Sequence, residues 1–238
     1  MGPSRTLILI PGLLCDAAVW EPQVKGLADL ARIEVADHGL LDTLGGMAEK
    51  ILAQAPARFA VAGHSMGGRV AFEIMRRAPE RVEALGIFDS ACKPLAPGEA
   101  GEKEAAGRWR LATIAREQGM RAMGEEWLKI MIHPSRFRDR ALVETILAMF
   151  ERKSPEIYEA QIRALLARSD AQPLLPTIQC PTLILSGRDD LWALPASHEE
   201  MAARIPGSRL VLIPECGHMA PLERPEAVNA AMRRWLGD

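Results

Sequence analysis

Six short runs of apolar and β-branched residues punctuate the chain: Thr6–Ile10, Arg32–Ala36, Phe59–Ala62, Ala84–Phe88, Thr182–Leu185 and Arg209–Ile213. None alternates strictly between apolar and polar positions, so each reads as a strand buried on both faces of a parallel sheet. Helical patterns separate most of them. Met66–Arg77 is one, closed by Pro79, and Pro195–Arg204 is another, closed by Pro206-Gly207. Strand and helix in alternation predict an α/β fold: an open, mostly parallel sheet of about six strands, with right-handed crossovers and helices on both faces.

From Lys93 to Pro176 the alternation fails. Four helices are predicted instead, roughly Gly101–Gln118, Arg121–Ile132, Arg136–Arg152 and Pro155–Arg168. Ser154 followed by Pro155 supplies an N-cap and a first-turn proline for the last of them. The expected division is a core of residues 1–92 and 177–238 with a helical cap, 93–176, inserted over the strands' carboxyl ends, where open α/β sheets bind ligands.

Candidate chemistry sits at the strand ends. Gly63-His64-Ser65-Met66-Gly67 places a serine in a G-x-S-x-G turn between strand and helix, with Gly68 adding a further small residue. Small flanking residues let strand and helix pass closely around a strained serine. A serine hydroxyl needs a base, and His218, in Glu215-Cys216-Gly217-His218 after the last strand, is the best placed of five histidines. His64 is expected to project away from the serine, His38 to border the pocket, His133 to lie in the cap, and His198 to face solvent. The loop Gly187-Arg188-Asp189-Asp190 offers an acid to orient the imidazole. Asp190 is preferred; Asp189 and Asp89 are the alternatives, and Asp89 would otherwise cap the loop entering the insertion. Oxyanion donors are expected from the amides of Met66 and of Leu13, in Pro11-Gly12-Leu13-Leu14.

With Ile10-Pro11-Gly12-Leu13, Trp20, the Gly63–Gly68 turn, Gly187 with Asp190, and Gly217-His218, the chain resembles the α/β-hydrolase superfamily, in particular its small capped esterase-like members. The order Ser, Asp, His is that family's order. Two departures stand out. Pro11-Gly12 replaces the His-Gly of many relatives, and the chain begins at the family's third strand, so six parallel strands without an antiparallel edge are expected. The resemblance implies a catalytic triad of Ser65, His218 and Asp190 that hydrolyses carboxylic esters through an acyl-enzyme. Trp192, Trp127, Met131 and Met149 are candidate acyl-pocket residues. Arg136, Arg138 and Arg140 are a candidate grip for a carboxylate or a carrier-protein phosphate, as in the pimeloyl-carrier-protein methyl esterases of this fold. Enol-lactonases, C–C bond hydrolases and cofactor-free haloperoxidases share the fold, and a non-hydrolytic ligand receptor is a further class.

Composition narrows the partners. Lys and Arg number 29 against 31 Asp and Glu, a net charge of -2, which gives no reason to expect nucleic acid or an anionic membrane. A small-molecule ester is the expected substrate, with no cofactor or metal, in a monomer or homodimer. Cys15, Cys92, Cys180 and Cys216 are widely spaced and read as free thiols of a cytoplasmic protein, with Cys15 or Cys216 a candidate pocket residue. Arg5 and Leu7–Ile10 fall short of a signal peptide because Pro11-Gly12 breaks the run. The start Met1-Gly2-Pro3-Ser4-Arg5-Thr6 formally fits a myristoylation pattern, but Pro3 argues against modification.

Overall fold

A computed structural model describes residues 5–237; Met1–Ser4, which carry most of the myristoylation pattern, lie outside the described residues. Six strands form one sheet: β1 (Thr6–Ile10), β2 (Arg32–Val35), β3 (Phe59–His64), β4 (Val82–Phe88), β5 (Thr182–Gly187) and β6 (Arg209–Ile213). Their spatial order is β2-β1-β3-β4-β5-β6, every pair parallel. The central strands β3 and β5 are buried at every position, whereas β2 and β6 at the edges are partly exposed. Unbroken apolar runs at the centre and mixed ones at the rim are what this burial demands.

The helices in chain order are α1 (Glu21–Gly26), α2 (Leu44–Gln54), α3 (Met66–Arg77), α4 (Glu99–Gln118), α5 (Met120–Leu128), α6 (Arg140–Glu151), α7 (Pro155–Leu166), α8 (Pro195–Arg204), α9 (Ala220–Glu223) and α10 (Pro225–Gly237). Helices α4 to α7 all lie between β4 and β5. Ser154 caps α7 by accepting from the Ile157 amide. Two of the predicted helices are shorter than the periodicity implied. Asp139 accepts from the Leu142 amide and starts α6 there, leaving Pro134–Arg138 as a separate 3₁₀ turn. Helix α5 stops at Leu128, and the Met131 carbonyl instead accepts from the His218 amide at 2.7 Å. That bond ties the helical insertion to the loop after β6.

The chain leaves β1 for β2 on one side and then crosses to β3 on the other. Loops after β1 and β3 therefore part at the reversal of strand order, where α/β sheets form a crevice. Among the described residues, positive φ outside glycine occurs at Leu14 (60°), Ser65 (54°), Asp89 (45°) and Glu215 (50°). They follow the ends of β1, β3, β4 and β6. Strain of about 1–3 kcal/mol at each such residue is concentrated along one edge of the sheet.

Candidate active site

The turn between β3 and α3 is built from close backbone approaches. A Cβ on Gly63 would lie 2.1 Å from the Gly67 carbonyl oxygen, and one on Gly67 would lie 2.2 Å from that of Ile10. Backbone cannot yield at such distances, so larger residues are shut out at both positions. Ser65 is pinned in its strained conformation from three sides. Its amide donates to the Phe88 carbonyl at 2.8 Å, and its carbonyl accepts from the Gly68 amide at 3.0 Å and the Ser90 hydroxyl at 2.7 Å. The side chain is left at the mouth of the turn, beside the first N–H groups of α3.

Three loops converge there. Ser65 Oγ lies 2.8 Å from His218 Nε2, and His218 Nδ1 lies 2.8 Å from Asp190 Oδ2. Asp190 Oδ1 accepts from the Trp192 and Ala193 amides, both at 2.8 Å. With a carboxylate as acceptor, Nδ1 of His218 holds its proton and Nε2 is left to accept from the serine hydroxyl. Burial pushes the Asp190 carboxyl up, but the charge His218 carries when protonated, its hydrogen bond and the two loop amides outweigh it, and the pKa ends below the usual value. Among the described residues, the amides of Met66 and Leu13 have no protein acceptor. Leu13, Met66, Ser65 and His218 all line one cavity of about 360 Å³.

The two rival carboxylates stand elsewhere. Asp189 is half exposed, 4.0 Å from His133 Nε2. Asp89 is fully buried and accepts from the amides of Gly187 at 2.9 Å and Ala220 at 3.2 Å. It joins the end of β5 to the segment after His218 rather than capping the loop into the insertion. Burial and then the nearby Asp190 charge raise its pKa well above the carboxylate range. Of this pair of acids, Asp190 is the one whose surroundings keep it ionised.

The remaining histidines brace the backbone. His64 Nε2 donates to the His218 carbonyl at 2.7 Å, and His38 Nε2 donates to the Pro11 carbonyl at 3.2 Å. His38 does not line the cavity. His198, expected at the surface, is fully buried. Its Nδ1 donates to the Leu194 carbonyl and its Nε2 accepts from the Ser90 amide at 2.9 Å, so it supports the hydroxyl that holds Ser65. An unexpected member is Glu223, buried, which accepts from the amides of His133, Gly217 and Met219 and fixes the loop carrying His218.

Burial pushes the His198 pKa down to about 4, and the Leu194 carbonyl offsets only part of this. The unfolded chain binds a proton here below about 6.5, while the native state does not until about 4. Stability attached to this residue is therefore full above 6.5 and drains as pH falls, at about 1.4 kcal/mol per unit. His38 and His64 behave alike, whereas Asp89 and Glu223, pushed upward, oppose them. Substituting one group isolates its share. In urea unfolding, the stability gap between wild type and His198→Asn should narrow as pH falls from 6.5 to 4.5; a constant gap would refute the buried neutral imidazole.

Trp127 and Trp192 line the cavity, their rings edge-on at 5.8 Å. Met131 and Met149, predicted beside them, do not line it; both are buried in the apolar core. Their runs are apolar on a helical period, and the pattern cannot separate a core face from a pocket wall. Cys15 and Cys216 are buried away from the cavity, and all four cysteines are free. Arg136 pairs with Asp139 at 3.0 Å, while Arg138 and Arg140 are exposed, and none of the three reaches the cavity. The guanidinium groups that do line it are Arg69, Arg108 and Arg168. They come from α3, α4 and the segment after α7, separations too long for local patterning to connect.

An open parallel sheet with a serine on the strained turn after its third strand, inside a strand–turn–helix unit, is the architecture of the α/β hydrolases. Residues 7–231 match the family model of the alpha/beta hydrolase family, and the chain belongs to that family. A pimeloyl-[acyl-carrier protein] methyl ester esterase of Nitrosomonas europaea is 27% identical, over 94% of this chain and 93% of its own. Among solved structures, a thermophilic esterase from Thermogutta terrifontis with malate bound is 30% identical with a TM-score of 0.86, covering 100% of this chain and 91% of its own. The enol-lactonase from Burkholderia xenovorans is 26% identical with a TM-score of 0.87, covering 100% and 93%. Among the described residues, no helix is long and apolar enough to cross a membrane.

Proposed function

We propose that this alpha/beta hydrolase cleaves carboxylic esters through an acyl-enzyme, with Ser65 as nucleophile, His218 as general base and Asp190 as the acid that orients it. The single observation carrying the reading is the continuous hydrogen-bonded chain from Asp190 through His218 to the Ser65 hydroxyl. Ser65 Oγ attacks the ester carbonyl carbon as its proton passes to His218 Nε2, and the amides of Met66 and Leu13 hold the oxyanion. His218 then protonates the departing alcohol. A water, deprotonated by His218, attacks the acyl carbon and returns Ser65 with release of the acid. Residues 93–176 act as a cap, since α4, α5 and α7 contribute Glu104, Arg108, Trp127 and Leu165 to the cavity walls. The cavity volume suits a small or medium ester, and free cysteines fit a reducing compartment, the cytoplasm. Opening an enol-lactone is the same chemistry on a cyclic ester, and the likeness to an enol-lactonase favours it as the second reading.

The test compares p-nitrophenyl esters of increasing acyl length with vinylogous diketones and an enol-lactone, alongside fluorophosphonate labelling. Ester turnover with stoichiometric label on Ser65 is expected. Turnover of diketones alone, or an unlabelled serine, would overturn the ester reading.

A further inference from the structure

The wall of the cavity beside Ser65 carries more positive charge than the protein neutralises. Arg108 and Arg168 converge on one carboxylate. Arg108 Nε and Nη2 donate to Glu104 Oε1 at 3.0 and 2.8 Å, while Arg168 Nη1 and Nη2 donate to Glu104 Oε1 and Oε2 at 2.8 and 2.7 Å. Arg168 is held further by backbone carbonyls of Lys93, Pro94 and Leu165, and Arg108 lies 5.1 Å over the Trp192 ring. The third guanidinium, Arg69, has no carboxylate partner among the described residues. Its recorded bond is one donation to the Lys93 carbonyl at 2.9 Å, which leaves most of its five N–H groups without a protein acceptor. Lys93 itself is paired with Glu200 at 2.6 Å.

Arg69 lies in the first turn of α3, four residues past Ser65, and both residues line the same cavity. We propose that Arg69, backed by Arg108 and Arg168, forms a carboxylate subsite in the cavity, so that the preferred ester carries a second, anionic group a few bonds from its scissile carbonyl. The planar fork of a guanidinium matches a carboxylate with two parallel hydrogen bonds. Burial, then the charges of Arg168 and Arg108, push the Arg69 pKa down to about 9. The group stays charged at neutral pH, and an arriving anion relieves the repulsion it suffers there. This inference rests on the ester-hydrolase reading and adds the substrate class.

The experiment uses methyl, ethyl and carboxymethyl esters, followed by titration of the acid released. One arm compares monomethyl glutarate with methyl pentanoate, placing the charge on the acyl side. The other compares O-butanoyl glycolate with ethyl butanoate, placing it on the alcohol side. In one arm, wild-type kcat/KM for the charged ester should exceed that for its neutral counterpart at least tenfold. Arg69→Met should cut that ratio by about 10- to 100-fold, and Arg69→Lys should restore part of it. Should Arg69→Met fail to fold, free glutarate as competitive inhibitor of methyl pentanoate hydrolysis by wild type gives the same reading, and absence of inhibition counts against the subsite. Hydrolysis of neutral esters with no preference in either arm, or a ratio unmoved in a folded Arg69→Met, overturns the subsite alone. Failure of wild type to turn over any ester or to take the fluorophosphonate label overturns the hydrolase reading, and the subsite with it.

Discussion

Ser65→Ala is expected to lower kcat on an activated ester by a factor approaching ~10⁶, with little change in KM. The size of the effect follows from what remains. The variant keeps the free amides of Met66 and Leu13 and the cavity that positions the ester, so binding and oxyanion stabilisation survive. It loses the atom that forms the covalent bond, and His218 then has only a water to activate from a place the serine oxygen held. Folding should survive the change. The backbone at residue 65 is fixed by Phe88, Gly68 and Ser90 through main-chain atoms, which alanine retains. The hydroxyl's recorded partner is His218 Nε2, so its removal costs about 1 kcal/mol or less. Steady-state kinetics beside thermal unfolding checks both halves. A folded Ser65→Ala protein with more than about a thousandth of wild-type kcat would refute the nucleophile assignment, since a serine triad without its nucleophile retains only on the order of 10⁻⁶ of kcat.

The parts of this molecule legible in its sequence are those that backbone geometry dictates locally. Runs such as Thr182–Leu185 must be apolar because β5 is covered on both faces, and the glycines around Ser65 must be small because carbonyl oxygens lie where their Cβ atoms would be. Such constraints act over a few residues and leave a pattern. The choice among Asp89, Asp189 and Asp190 left only a weaker trace, the spacing of Asp190 from Gly187 that the resemblance carries. It depends on which way three side chains turn after β4 and β5, and on amides of Trp192 and Ala193 that fold back onto Asp190. His198 shows the same limit. Its helix has a polar face in sequence, yet the ring is buried because Ser90, 108 residues away, needs an acceptor for its amide. Glu223 was invisible for a related reason. A buried carboxylate gathering three backbone N–H groups resembles, in sequence, any surface glutamate. Arg69, Arg108 and Arg168 meet only because the insertion folds back over the strand ends.

Asp190→Asn is expected to reduce kcat by about 10⁴-fold, and the reason lies in the amides on the far side of the side chain. Oδ1 accepts from both Trp192 and Ala193. An asparagine must keep its carbonyl oxygen at that position, because its NH₂ would face two donors there. The NH₂ then points at His218 Nδ1, a donor against what was a donor. His218 can answer only by holding its proton on Nε2, and in that tautomer it has no lone pair for the Ser65 proton. Geometry is thus preserved while the base is disarmed, so fluorophosphonate labelling should slow in step with kcat. The same substitution at the neighbours separates the roles. Asp189→Asn, half exposed and apart from His218, should leave kcat within about twofold. Asp89→Asn loses one of two acceptor oxygens, leaving the Gly187 or the Ala220 amide unsatisfied in the core. Its effect should register in stability, at about 1–3 kcal/mol, more than in proton transfer. A large loss of kcat at Asp189 or at a folded Asp89 variant, with Asp190→Asn near wild type, would move the orienting acid to another residue.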